Sequence, residues 1–167
     1  MVKSTTRFLG AAAIAAATIA AAPAYAATVS AALPVTATVA ASCAISTLPV
    51  AFGNVLNLGT VFNNGTGSVT VNCINGVLWS VDLDPGLAPN FSDRRMTTSG
   101  LSGATVVYQL YTDAAHTTVW GSASGGSAVT GTGSGASQVN TVYGRTQLGS
   151  SAPIGNYSDT VTVSITF

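Results

Sequence analysis

The chain has 167 residues, of which 47% are hydrophobic and only 6% are charged, with five basic and five acidic side chains. Such sparse charge argues against a nucleic-acid partner, which requires a basic face, while the apolar content is too high for a disordered chain. Sparse charge also argues against a solitary monomer, because surface charge is what usually keeps proteins apart in solution.

The first 26 residues have the three parts of a secretory signal peptide. Lys3 and Arg7 precede an apolar run from Phe8 to Ala22, and residues 24–26 read Ala-Tyr-Ala. The alternative, a membrane anchor, would need a longer run of about 20 apolar residues, whereas a basic start, an apolar middle and an A-x-A end are typical of a cleaved export signal. We therefore expect cleavage after Ala26 and an exported chain.

Residues 27–42 alternate between apolar and mostly small polar side chains. In a β-strand this pattern places the two kinds on opposite faces. Continued to Cys43, it would span over about 40 Å, which exceeds the usual strand of 3–10 residues. Its first half is therefore expected to project and to pair with another chain, although pairing within its own sandwich is an equally open alternative. The apolar face comprises Val29, Ala31, Leu33, Val35, Ala37 and Val39.

The two cysteines of the chain, Cys43 and Cys73, follow this segment. In an exported protein the default expectation is one disulfide bond. A metal site would need more ligands than a chain with the single histidine His116 offers, and a redox pair normally has C-x-x-C spacing. We predict a structural disulfide, no metal and no other cofactor.

Short alternating or apolar stretches predict β-strands along the rest of the chain. The predicted strands cover residues 35–46, 50–55, 67–74, 78–84, 104–113, 137–146 and 157–167. Asn75-Gly76, between two of them, predicts a hairpin, and the stretches 85–103 and 121–136 read as loops. Several short strands with turn signals and no helical periodicity predict an all-β sandwich or barrel.

The last predicted strand, residues 157–167, has Val161, Val163, Ile165 and Phe167 on its apolar face. An exposed apolar edge is a liability unless another strand covers it. The strand is therefore a candidate acceptor for the projecting N-terminal segment of another chain.

No pattern in the sequence predicts an enzyme. Asp113 and His116 share a loop-like stretch, but nothing places either beside a nucleophile. The Gly-Thr-Gly-Ser-Gly run at 131–135 lacks the lysine and the helix of a phosphate-binding loop, so it is predicted to be a flexible hairpin or loop.

Three downstream stretches resemble the spore coat U domain family, which includes the major subunits of archaic chaperone–usher pili. They read "VVYQLYTDAAHTTVWG" from residue 106, "TGTGSGASQVNTVYGRTQLG" from residue 130 and "APIGNYSDTVTVSITF" from residue 152. Cys43, "VAFG" at 50–53 and Cys73 in "VTVNC" fit the same pattern in order. The resemblance covers roughly residues 35–167.

The resemblance implies an immunoglobulin-like sandwich that lacks one strand, formed here by residues 43–167, with residues 27–42 as the N-terminal donor strand. In such pili a periplasmic chaperone lends a strand, and at the outer-membrane usher the N-terminal extension of the next subunit replaces it. Val161, Val163, Ile165 and Phe167 would then line the acceptor groove, with Phe167 at the end that the chaperone grips. Pro34 is awkward in a donor strand because proline cannot donate to a ladder.

The function implied by the resemblance is a structural subunit of a secreted surface fibre that supports adhesion and biofilm formation. Its partners would be a periplasmic chaperone, an outer-membrane usher and identical or related subunits. A two-domain tip adhesin would need a second binding domain, for which we expect no room. The alternative function is a secreted coat protein or a carbohydrate-binding or surface-binding β-sandwich module.

Overall fold

The computed structural model describes residues 25–55, 62–98, 103–122, 125–147 and 152–167. Nearly all of the predicted signal peptide therefore lies outside the described residues. The chain divides into two units, Met1–Ala37 and Thr38–Phe167. In the first unit, residues 25–37 have no regular secondary structure and all are exposed.

The described part of the second unit contains two sheets, and its strands pair antiparallel in both. The strands are β1 (Cys43–Leu48), β2 (Phe62–Cys73), β3 (Leu78–Leu83), β4 (Arg95–Thr97), β5 (Thr105–Tyr111), β6 (Val129–Thr132), β7 (Gln138–Gln147) and β8 (Val163–Thr166). One sheet has the order β1-β2-β7-β5-β4 and the other the order β6-β3-β8. The part of the chain that the structure describes contains no helix, and hence none that could cross a membrane.

Alternate residues of the long strands form one core from both sheets. Because successive side chains of a strand point to opposite faces, β2, β3 and β5 each bury every second residue. Each buried valine or leucine contributes about 1.5–3 kcal/mol. The core residues are Val69, Val71, Cys73, Trp79, Val81, Leu83, Tyr108, Leu110, Trp120 and Val142. The prediction of an all-β sandwich is confirmed.

The hairpin predicted at Asn75-Gly76 is wrong, although the turn is present. Val77 N donates to Ile74 O over 3.2 Å, and Gly76 adopts a φ of 84°, which suits glycine. However, β2 pairs with β1 and β7, whereas β3 pairs with β6 and β8. The turn therefore carries the chain from one sheet to the other, because β2 and β3 both bury an apolar face and these faces meet across the core.

The two predicted loops, 85–103 and 121–136, contain the short strands β4 and β6. In β6, the side-chain position of Gly131 is occupied by the Trp79 ring, so any larger residue would clash with it. The glycines that suggested a flexible loop thus permit a close approach to a buried tryptophan.

Three other predicted strands differ from the observed ones. β1 begins at Cys43 and not at residue 35, and residues 50–55 do not form a regular strand. The last strand is confined to Val163–Thr166, within the predicted range 157–167. In the last case, residues before Val163 are held by an isolated backbone bridge between Ser158 and Thr97 and by hydrogen bonds to aspartate side chains, in place of a continuous strand ladder.

Candidate strand-acceptor groove

Strand β8 is an edge strand of the three-stranded sheet. It pairs with β3, where Val163 lies opposite Leu83 and Ile165 opposite Val81, and its other edge has no strand partner in the described chain. Strand β1 is likewise an edge of the five-stranded sheet. Each sheet thus presents unpaired backbone groups at one of its ends.

A groove of about 740 Å³ lies beside these edges and reaches down to part of the core. One side is formed by residues 47–55, which follow from β1, and the other by residues 152–159 together with Val161 and Val163. The floor is apolar and includes core residues of both sheets, namely Val69, Leu83, Val106, Tyr108, Leu110 and Val142. Such a floor suits an occupant that inserts apolar side chains.

The predicted acceptor residues divide between the groove and its surroundings. Val161 and Val163 line the groove, and together with Ile165 they are half-buried against the core. Ile165 is outside the groove lining, and Phe167 is 56% exposed. The structure therefore brings two of the four predicted residues together in one groove.

Asp84 attaches the residue before β8 to the end of β3. The Asp84 side chain accepts hydrogen bonds from Thr162 N at 2.8 Å and Gly86 N at 2.9 Å, while Asp84 N donates to Thr162 O at 2.9 Å. Burial alone would raise the pKa of Asp84, but the hydrogen bonds from Thr162 and Gly86, with the charge of Arg94, lower the pKa below its usual value. The ionised carboxylate is thus the form that holds Thr162.

Asp159 anchors the same segment to the five-stranded sheet. It accepts a hydrogen bond from the Tyr108 hydroxyl at 2.6 Å, from Leu87 N at 3.1 Å and from Thr160 N at 2.7 Å. Burial, followed by the hydrogen bond to Asp159, raises the pKa of Tyr108, so the phenol stays protonated and remains the donor. Gly86 packs against the Asp159 carboxylate so closely that a larger side chain would clash with it.

The fully buried Arg94 connects these anchors. Its guanidinium donates to Gln109 Oε1 at 2.8 Å, Trp120 O at 2.9 Å and Asp84 O at 2.7 Å. Burial lowers its pKa, and the neighbouring Asp84 and Asp159 oppose this effect. Sequence reasoning missed this network because Asp84-Pro85-Gly86 read only as a turn. The available signal was Asp159, an aspartate two residues before the apolar alternation that begins at Val161.

Glycines shape the opposite wall of the groove. Residues 48–52 cross β2 and β7 so closely that a side chain on Gly65, Gly67 or Gly144 would collide with them. This close approach half-buries Phe52, with its ring centroid 6.3 Å from that of Tyr108.

The predicted disulfide between Cys43 and Cys73 is confirmed. The two residues lie directly opposite each other on β1 and β2. The bond closes a loop with a sequence separation of 30, which contributes about 3–4 kcal/mol in the chain-entropy description. It fixes β1, and thereby one edge of the sandwich, to the core.

The predicted donor residues form no strand in the structure. Residues 27–42 are exposed and unpaired in any ladder, and Val29, Leu33, Val35 and Val39 are 80–94% exposed. So much exposed apolar surface is typical of a binding segment.

Comparison with known proteins places the chain in a family. The sequence model of the spore coat protein U domain matches residues 29–164, so the chain belongs to the spore coat protein U domain family, as the resemblance predicted. No significant match was found among curated proteins.

A similar fold occurs in a crystal structure of the CsuC–CsuE chaperone–tip adhesion subunit pre-assembly complex from archaic chaperone–usher Csu pili of Acinetobacter baumannii. The similarity has a TM-score of 0.58 with 22% identity and covers 78% of this chain. It spans only 40% of the matched chain.

Proposed function

We propose that this protein is a structural subunit of a chaperone–usher type surface fibre, assembled by donor-strand exchange. The observation that carries the proposal is the coexistence of an apolar groove along the unpaired edge of β8 with an exposed alternating segment elsewhere in the same chain. The apolar groove suits an inserted apolar strand, and residues 27–42 of a second copy would supply one.

The donor strand is residues 27–42 of a neighbouring subunit, and its inserted face is the set of odd-numbered apolar residues. Each inserted valine or leucine buries side-chain area worth about 1.5–3 kcal/mol. Val29, Leu33, Val35 and Val39 together contribute on the order of 10 kcal/mol per junction, before the costs of ordering the strand are subtracted. Pro34 lies on the opposite, outward face, where a local bulge accommodates its missing N–H.

A subunit with an open groove needs a temporary partner before assembly. In the proposal, a signal peptide directs the chain to the periplasm, where a chaperone fills the groove and contacts Phe167. An outer-membrane usher then exchanges the chaperone for the next subunit. The similarity in fold to a chaperone–subunit complex supports this order. The finished fibre stands on the cell surface and serves adhesion and biofilm formation.

We assign the chain no enzymatic role. Asp113 accepts hydrogen bonds from Thr117 N at 3.1 Å and Thr118 N at 2.7 Å, and His116 contacts Arg145. Both side chains thus stabilise a turn and do not form an acid–base pair. The alternative of a secreted coat or surface-binding module shares the fold, but it gives no role to an exposed apolar segment and an open groove in one chain.

The proposal is tested by producing the full chain with and without a chaperone and an usher of the archaic chaperone–usher type. With both, electron microscopy is expected to show surface fibres; without the chaperone, the protein is expected to aggregate or be degraded. A well-folded monomer whose state does not depend on concentration, obtained without any chaperone, would contradict the proposal. A genome without chaperone and usher genes beside this one would favour the coat alternative.

A further inference from the structure

A second concavity lies on the opposite face of the five-stranded sheet from the groove. Its floor is formed by Val107, Gln109 and Tyr111 of β5, which alternate with the core residues of that strand. Its volume is about 380 Å³, near the lower limit of the roughly 300–1,000 Å³ of small-molecule sites. Because it faces away from the groove, a strand that fills the groove leaves it open.

Aromatic rings form two sides of this pocket. Phe62 and Arg145 line one side, and Phe91 and Ser92 line another. Phe91 packs on the buried Arg94, whose guanidinium carbon lies 5.5 Å from the ring centroid. Gly125 also lines the pocket, and a side chain there would collide with the Phe91 ring. The position of the Phe91 ring is therefore fixed by the fold.

The Arg145 guanidinium is held by three neighbours. Its Nη2 lies 2.8 Å from His116 Nδ1 and its Nε donates to Asn64 Oδ1 at 3.3 Å. Its guanidinium carbon lies 4.9 Å from the centroid of the Phe62 ring. Since arginine can only donate, His116 Nδ1 must accept and carry no proton.

His116 is placed for this contact by a tight turn. It adopts a φ of 58°, a conformation that a non-glycine residue keeps only when its surroundings fix it. The Asp113 carboxylate holds the turn, and the His116 ring meets Tyr111 and Tyr143 edge to face at centroid distances of 5.1 and 6.3 Å. The turn thus fixes a neutral acceptor beside Arg145.

No carboxylate neutralises Arg145 in the described chain. All five aspartates lie in described segments, and the ion pair that the described residues form is Arg95–Asp93. Among the described residues, Arg145 Nη1 has no hydrogen-bond acceptor. A fixed, partly exposed guanidinium without an acidic partner is suited to bind a carboxylate from outside, because its planar fork matches carboxylate geometry.

From these contacts we infer that the pocket binds a carboxylated sugar ring, of the hexuronate class found in acidic polysaccharides. Arg145 binds the carboxylate, and the faces of Phe62 and Phe91 take the C–H face of the ring, which the negative face of an aromatic ring attracts. The Ser92 hydroxyl is available to a ring hydroxyl. The volume admits one ring.

A fibre would repeat this pocket once in every subunit. Weak single sites joined in one polymer bind a repeating polysaccharide with an avidity that can exceed the single-site affinity by about 10²–10⁴. This multiplicity depends on the proposed fibre. Binding of one sugar by one chain does not, so the two ideas fail separately.

Saturation-transfer NMR on the purified full chain, alone or with its chaperone, tests the inference with sodium glucuronate and neutral methyl glucoside. We expect glucuronate to bind at least about tenfold more tightly than the glucoside. Arg145→Gln should abolish that preference, and Arg145→Lys should retain only part of it. Arg95→Gln is the matched control, because it removes an arginine that Asp93 already neutralises on the same sheet.

If Arg145→Gln does not fold, Val107→Trp provides the second test. Val107 is 48% exposed, so a larger residue there fills the pocket without disturbing the core, and glucuronate binding should be lost. The inference is overturned by the absence of glucuronate binding, by equal binding of the glucoside, or by equal losses in the Arg145 and Arg95 variants. Equal binding of inorganic phosphate would also overturn it, since the rings would then contribute nothing.

Discussion

Residues 27–42 and 157–167 show the same apolar alternation in sequence, yet they differ in structure. The apolar side chains of the first stretch are 80–94% exposed at Val29, Leu33, Val35 and Val39. In the second stretch Val161, Val163 and Ile165 pack against the core, and β8 pairs with β3. The difference lies in the anchors: Asp84 and Asp159 hold the second stretch, and no charged residue lies in the first.

The comparison shows that alternation specifies the capacity to form a strand but not the partner. A strand pairs with one particular neighbour where a few polar contacts fix its position, and its apolar side chains are then buried against that neighbour. A segment without such contacts can add to any edge that offers a matching apolar groove. In the proposed function this property is what allows residues 27–42 to leave their own subunit and complete another.

The largest expected effect comes from deleting residues 27–36. Because residues 27–36 precede the compact unit Thr38–Phe167, which contains the described strands, the deletion should leave the subunit able to fold and to bind a chaperone. It should abolish fibre growth, because each junction then loses most of the stabilisation that the inserted apolar side chains provide, which is on the order of 10 kcal/mol. Electron microscopy and a chaperone pull-down measure the two outcomes. Loss of chaperone binding would show that the segment belongs to its own fold.

Leu33→Asp should weaken each junction by several kcal/mol, because it removes a large apolar side chain and puts a charge into an apolar groove. Thr36→Asp is the control, since Thr36 lies on the outward face of the same strand. We expect the first variant to give few or short fibres and the second to give normal ones. Equal assembly of the two variants would mean that the inserted face has been assigned wrongly.

The fold class, the disulfide and most strand positions could be predicted from the sequence because they depend on local patterns. The alternation of Val106, Tyr108 and Leu110 and the presence of two cysteines in an exported chain are such patterns. The sheet assignment of β2 and β3 could not be predicted, because Asn75-Gly76 has the same turn chemistry in a hairpin and in a crossing between sheets.

The groove was predicted only in part, for a similar reason. Val161 and Val163 could be identified by their alternation, whereas the opposite wall depends on long-range packing. Residues 48–52 approach the sheet where Gly65 and Gly144 leave space, and glycine in a sequence does not reveal what will approach it. The Arg94 network was missed because its members are distant in sequence and meet only in the folded chain.

A smaller effect is expected from removing one anchor of the second stretch. Tyr108→Phe leaves Oδ2 of the partly buried Asp159 carboxylate without its hydrogen bond from the Tyr108 hydroxyl. We expect a loss of about 1 kcal/mol of unfolding free energy. Tyr157→Phe is the matched control, since its hydroxyl bonds Pro153 O at an exposed site and should change stability by less than about 0.5 kcal/mol. Thermal unfolding of the full chain, alone or bound to a chaperone, measures the stability change of both variants. Equal losses would show that Tyr108 does not anchor the groove.

The smallest expected effect is a loss of stability at low pH. This loss distinguishes the contribution of Asp84 from that of the other anchors. The pKa of Asp84 is lowered in the folded chain from an ordinary value of 3.8, so the native state binds its proton less readily than the unfolded state. The stability contributed by this carboxylate is therefore complete above about pH 4 and is lost as the pH falls through the lower folded pKa. Because solvent screens the partly exposed group, we expect a loss of under about 1 kcal/mol.

Asp84→Asn should reduce this acid-dependent loss of stability and should lower the hydrogen-exchange protection of the Thr162 amide at neutral pH, since that amide donates to Asp84. The pKa of Asp113 is also lowered, chiefly by its hydrogen bond from Thr118 N, so Asp113→Asn is the control for acid dependence outside β8. Asp113→Asn should lower the hydrogen-exchange protection of the Thr117 and Thr118 amides and leave that of the Thr162 amide unchanged.

If Asp84→Asn leaves both the acid dependence of stability and the hydrogen-exchange protection of the Thr162 amide as in the wild type, then the Asp84 carboxylate does not hold β8 in place. Apolar burial by Val161, Val163 and Ile165 would then be sufficient to distinguish the second stretch from the first.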